Sequence, residues 1–81
     1  MPSEKHIFVT GHSNLSWKDA IVKTISETSQ TIKNLNFVEI LNQRAIISEN
    51  KISEYLVDLK ISFTIDPIQR HSSKEDNSDL N

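Results

Sequence analysis

The chain has 81 residues and 9.3 kDa, 36% hydrophobic and 25% charged, with a formal net charge of -2, which is room for one ordinary domain. The absence of cysteine excludes a disulfide framework and cysteine-ligated zinc or iron–sulfur sites, and a single glycine, Gly11, excludes phosphate loops that need two or three. No apolar run approaches the roughly 20 residues of a membrane span, the polar start carries no secretory signal, and the near-neutral charge lacks the basic stripe of a nucleic-acid binder, so a cytoplasmic protein with neither membrane nor nucleic-acid partners is expected.

Residues 6–10 are β-branched and aromatic and read as a first strand that ends at Gly11. His12, Ser13, Asn14 and Leu15 follow as a loop. Ser16 suits a helix N-cap, and Asp19 three residues later puts negative charge into the first turn, where the helix dipole favours it. From there Trp17, Ala20, Ile21, Thr24, Ile25, Thr28, Ile32 and Leu35 recur in steps of three and four on one helical face. Val22 points away from that face, a mild sign of a partner. The helix is expected to stop near Lys33 and Asn34, with asparagine in a left-handed C-terminal position.

Residues 37–48 read as a second strand. Val38 and Ile40 share one face; Phe37, Glu39 and Leu41 share the other. The alternation fails at Asn42, Gln43 and Arg44, where a bulge would flip the phase. Glu49 and Asn50 suit a hairpin turn. The third strand is the clearest element: Tyr55, Val57, Leu59, Ile61, Phe63 and Ile65 alternate strictly with Leu56, Asp58, Lys60, Ser62 and Thr64. Asp66 and Pro67 close it, since proline cannot donate to a ladder.

The order is β-α-β-β in an α+β fold. The first strand is expected beside the third, with the helix across the apolar face of the sheet. Residues 1–67 form the single domain. Residues 68–81 form a polar, disordered tail with too little apolar surface to fold. A domain this small rarely hides enough core by itself, and with disulfides excluded and no metal motif legible, oligomerisation is the expected remedy.

This order and these residues resemble the dodecin family over roughly residues 5–67. The match lies first in Val9-Thr10-Gly11-His12-Ser13-Asn14-Leu15-Ser16-Trp17-Lys18-Asp19-Ala20-Ile21, similar to the family's strand, short loop and Ser-Trp-x-Asp-Ala helix start. Glu39 with Arg44, and Tyr55-Leu56-Val57-Asp58-Leu59-Lys60-Ile61-Ser62-Phe63, are similar to its second and third strands. The resemblance implies a three-stranded antiparallel sheet curled around one helix and a hollow homododecamer. It implies a non-enzymatic protein that holds flavin, FMN or riboflavin, between subunits and serves as a flavin store that limits free flavin and its photochemistry. In the family a tryptophan stacks on the flavin and a glutamine hydrogen-bonds it. Here those positions fall at Phe37 and Leu56, the cofactor-binding residues the resemblance assigns. Phenylalanine offers a smaller ring, and leucine offers no donor to the flavin edge. A branch of the family is described as binding calcium, and the alternative is a dodecin-like shell that holds another small ligand or such a cation instead of flavin.

Plainer roles stand beside these. Trp17, at a helix start on the apolar face, suits the core. Phe37 and Leu56 suit a subunit interface equally well. Arg44 suits an ion pair with Glu39 or Glu54, and Asp58 and Lys60 suit a solvated face. His6, His12 and His71 are scattered over different elements without metal-ligand spacing, and no metal site is assigned. Ser13 has the first half of a nucleophile elbow but no base placed for it, so no catalytic residue is assigned and no enzyme is expected. Asn14-Leu15-Ser16 fits a glycosylation sequon, which matters only in a secreted protein.

Overall fold

The structure, a computed structural model, describes residues 3–65; the expected strand end at Asp66 and Pro67 and the expected tail lie outside them. The elements are β1 (Ser3–Ser13), α1 (Trp17–Thr28), β2 (Leu35–Ser48) and β3 (Lys51–Ile65). They form one antiparallel sheet in the order β1-β3-β2, with the helix on one face, the α+β arrangement expected from the alternation and the helical stripe. Among the described residues no helix is long and apolar enough to cross a membrane.

The inner face carries the odd-numbered residues of β3. Val57, Leu59 and Ile61 are fully buried with Ala20 of α1, and Ile7, Val9, Trp17, Ile21, Leu35 and Val38 pack around them. Trp17 fastens the helix start to the hairpin. Its ring meets Tyr55 edge-on at 4.8 Å, and its Nε1 donates to the Arg44 carbonyl at 2.8 Å. It is the structural residue that its place in the sequence suggested.

The helix begins as expected, with the Ser16 hydroxyl accepting from the Asp19 backbone N–H at 2.9 Å. It ends at Thr28 rather than near Lys33, and Asn34 takes no left-handed conformation. The cause is local. The Thr28 hydroxyl donates back to the Thr24 carbonyl, and those of Ser29 and Thr31 donate to the carbonyls of Ser26 and Thr28. Such bonds compete with helix propagation. The backbone then tightens into short turns, Gln30 N–H to the Glu27 carbonyl and Thr31 N–H to that of Thr28. Asn34 instead joins the sheet, its carbonyl accepting from the Thr64 N–H at 2.9 Å. Leu35 still reaches the core, but from β2.

β1 is longer than expected at both ends. Ser3, Glu4 and Lys5 pair with the far end of β3, and the strand runs through Gly11 to Ser13. Gly11 therefore ends nothing. A Cβ there would stand 2.0 Å from the Thr24 Oγ1 and 3.1 Å from the Ala20 carbonyl oxygen, so the missing side chain lets α1 lie against the strand. The β2 bulge falls at Leu41, one residue before the expected stretch: Ile40 opposes Leu59, and Asn42 opposes Asp58. The phase flips there as the broken alternation required. Glu49 and Asn50 make the hairpin turn with φ of 53° and 64°.

The helix lies over β1 and β3 and leaves the helix side of β2 largely open. Ile40 shows the effect: it opposes fully buried Leu59, yet is 47% exposed. Only four hydrophobic side chains are completely buried among the described residues, while ten large ones stay at least 40% exposed. The described body measures 58 × 23 × 13 Å, too thin to hide more.

Candidate functional site

Register assigns the outer face of the sheet, opposite the helix. β3 presents Glu54, Leu56, Asp58, Lys60, Ser62 and Thr64 there, β1 presents Glu4, His6, Phe8, Thr10 and His12, and β2 presents Phe37, Glu39, Asn42, Arg44 and Ile46. Phe37 and Leu56 therefore share a face, as their alternation in the two strands implies. Phe37 opposes Ser62 and is 54% exposed; Leu56 lies between His12 and Arg44. Ser62 lies six residue steps along β3 from Leu56, or about 20 Å at the rise of a β-strand. One chain does not bring the two residues together.

The hollows agree. Phe37 borders an apolar depression of about 150 Å³ with Ile25, Leu35 and Val38, small beside the 300 Å³ or more of usual ligand pockets. A larger hollow of about 360 Å³ lies between β1 and α1, where His12, Lys23 and Glu27 line it. Neither contains Phe37 together with Leu56.

Around Leu56 the polar groups are tied to one another. Arg44 grips Asp58 side-on, Nη2 to Oδ1 at 2.9 Å and Nε to Oδ2 at 3.1 Å. The Thr10 hydroxyl donates to the same Oδ1 at 2.9 Å. On the other side His12 Nδ1 meets Glu54 Oε2 at 2.6 Å. The sequence paired Arg44 with Glu39 or Glu54 and left Asp58 to solvent. The register corrects this: Arg44 opposes Leu56, and of its two diagonal carboxylates Glu54 is taken by His12. Further along the face, the buried Ser62 hydroxyl donates to Glu4.

These bonds act on Asp58. The Arg44 hydrogen bonds first, and the Thr10 hydroxyl next, hold its carboxyl below the ordinary 3.8. A depressed folded-state pKa gives stability that is present above the unfolded value and is lost as pH falls through the folded one. Thermal melts from pH 5 downward will therefore show Asp58→Asn losing less stability than the unsubstituted chain below about pH 4. Parallel acid limbs would remove the pair from the acid response.

Two residues of this region escaped sequence reasoning. Phe8 is the most exposed aromatic side chain of the described residues, at 69%, and stands on the outer face opposite Lys60. Its position between the inward Ile7 and Val9 was the available signal. Asp58 was visible only as an outward charge. Ser13 is a loop brace: its buried hydroxyl donates to Asp19 at 2.6 Å and accepts from the Leu15 N–H at 2.9 Å. Among the described residues no three of His, Asp and Glu gather as a metal cage.

The dodecin family model matches residues 4–66, nearly the whole of this β-α-β-β body. The chain belongs to the dodecin family. Dodecins are known as small binding and storage proteins, and the family forms oligomers. Among solved structures, a dodecin from Streptomyces davaonensis is 26% identical, with a TM-score of 0.76 over 80% of this chain and 96% of that one. A tryptophan-to-phenylalanine mutant of the Thermus thermophilus dodecin is also 26% identical, with a TM-score of 0.76 over 82% and 98%. A calcium dodecin from Mycobacterium tuberculosis, described as calcium chelating, is 23% identical with a TM-score of 0.70 over 80% and 93%, a likeness of fold. No curated protein matches the chain.

Proposed function

We propose that this dodecin is a non-enzymatic, cytoplasmic flavin-binding store that assembles as a homododecamer and holds riboflavin or FMN between its copies. Phe37 supplies the ring on which the isoalloxazine stacks, and Leu56 of a neighbouring copy supplies an apolar wall. The observation that carries the proposal is the placement of these two residues. They share an open face but stand about 20 Å apart in one chain, so a ligand that touches both needs two copies. The uncovered apolar surface supports the assembly independently, since exposed patches of this kind mark interaction surfaces. The fit to flavin is good for stacking and poor for the polar edge, where Leu56 donates nothing.

The calcium alternative draws support from the name of one fold neighbour. Its six to eight oxygens would all have to come from several copies, as one chain gathers no such cluster among the described residues. The test is sedimentation of the purified chain with a riboflavin titration followed by flavin fluorescence. A particle of about twelve chain masses that quenches the flavin at about micromolar concentration is the expected result. A stably folded lone chain removes the assembly, and an assembled particle that leaves the fluorescence unchanged removes the flavin.

A further inference from the structure

The polar hollow beside β1 points to a contact between copies. We infer that two copies of this chain join edge to edge along β1, about a two-fold axis near Thr10 and Gly11, with Lys23 of each copy set against Glu27 of the other. The inference rests on the assembly in the reading above and deepens it by naming the surface of one contact; it uses nothing of the flavin site.

The two edges of the sheet differ. β2 carries three register irregularities against β3, which interrupt any long ladder on its free side. β1 is eleven residues long, holds no proline, and runs against β3 without a register shift. Its free side is a row of backbone donors and acceptors with none of the bulges that natural edges use against pairing, and the charged Glu4 and Lys5 stand only at its first end. The hollow of about 360 Å³ opens on that side, lined by β1 and α1 and by no residue of β3. Gly11 lies under Thr24, so Lys23 and Glu27 flank the hollow level with Gly11 and Thr10.

Lys23 and Glu27 are exposed, about one helical turn apart, and neither has an ion-pair partner among the described residues. A lysine four residues before a glutamate is the weaker order for pairing within a helix, which leaves both charges to another partner. A two-fold axis perpendicular to the sheet supplies it. The axis sets the two β1 strands and the two helices antiparallel, so Lys23 meets Glu27 twice, once on each side. The spacing also fits. α1 lies over β1 and β3, so paired edges about 4.8 Å apart bring the two helices to about 10 Å, a distance at which helices pack. On the outer face Phe8, 69% exposed, stands two positions before Thr10, where the strand of the other copy covers it.

The test is charge reversal in the full chain at low salt, with the concentration at which particles dissociate read by sedimentation. Lys23→Glu and Glu27→Lys each bring like charges together twice across the axis, and each is expected to weaken self-association about tenfold or more. Mixed in equal amounts, the two variants restore both opposite-charge pairs, and association within about twofold of the unsubstituted chain is expected. A merely weakened helix cannot give that recovery, because each chain keeps its own like-charged turn in the mixture. Single variants that assemble like the unsubstituted chain, or a mixture that does not recover, overturn the contact between Lys23 and Glu27. Because the chain has no cysteine, an introduced one reports its position alone. A short bifunctional maleimide is expected to link Thr10→Cys chains into pairs far more than His6→Cys chains, since the axis sets His6 about 25 Å from its own copy. Should the charge variants not fold, this comparison decides: no linkage at Thr10→Cys, or equal or greater linkage at His6→Cys, overturns the edge pairing. A many-chain particle with any of these negative results leaves the assembly reading standing, while a stably folded lone chain removes both.

Discussion

Gly11→Ala is expected to cost the fold about 1–3 kcal/mol, the range of an overpacked core. One methyl group is the whole change, and its reach explains the size. The new Cβ would sit 2.0 Å from the Thr24 Oγ1 and 3.2 Å from the Thr24 Cβ. Thr24 is buried, its χ1 is restricted by branching, and its hydroxyl is fastened to the Ala20 carbonyl at 2.8 Å. Rotating it away breaks that bond in a buried place. Leaving it forces α1 off β1, and α1 supplies Ala20, Trp17 and Ile21 to the core. Denaturant melts of Gly11→Ala, Thr24→Ala and the pair make the cause visible. The double variant removes the oxygen at 2.0 Å and should recover part of the Gly11→Ala loss, a coupling expected of residues in contact. Recovery will be incomplete, because the Ala20 carbonyl oxygen at 3.1 Å remains. A fully additive pair would place the strain elsewhere.

The same glycine shows where the sequence was legible and where it was not. A lone glycine after a β-branched run is also what a strand end looks like, and only the helix crossing above it tells the two apart. β3 was legible because its strict alternation has one buried solution, and a one-residue slip would turn Val57, Leu59 and Ile61 outward. The hairpin was legible because Glu49 and Asn50 interrupt two apolar runs. The helix end was misjudged for a different reason: Ile32 and Leu35 continue the helical spacing, while the hydroxyls that halt the helix act through carbonyls that spacing does not weigh. The sequence offered Arg44 the wrong partners, Glu39 or Glu54, because Glu54 and Asp58 are equivalent diagonals until β1 brings His12 to one of them. The proposed site was offered by the sequence only as two positions, Phe37 and Leu56, that the resemblance assigns. Their common face follows from alternation and register, whereas their distance depends on how far each strand runs.

That distance makes the double variant Phe37→Trp with Leu56→Gln the sharpest probe of the site. The assembled variant is expected to bind riboflavin about 5–150-fold more tightly than the unsubstituted chain. A hydrogen bond restored to a buried ring acceptor is worth about 1–3 kcal/mol, and each 1.4 kcal/mol is tenfold. The larger indole ring adds stacking area where Phe37 is already open to a ligand. Neither change should unsettle the protomer, since Phe37 is 54% exposed and Leu56 faces away from the core. The proposed site, with the two residues on one ligand from two copies, is open to a second test by mixing the single variants. Particles co-assembled from Phe37→Trp and Leu56→Gln chains should contain some sites that carry both changes. Mixtures of preformed particles should contain none. Tight binding that appears only after co-assembly is the expected outcome, measured as flavin quenching before and after unfolding and refolding the mixture together. If the double variant gains affinity while co-assembled singles do not, both residues act within one chain, and the inter-copy site fails.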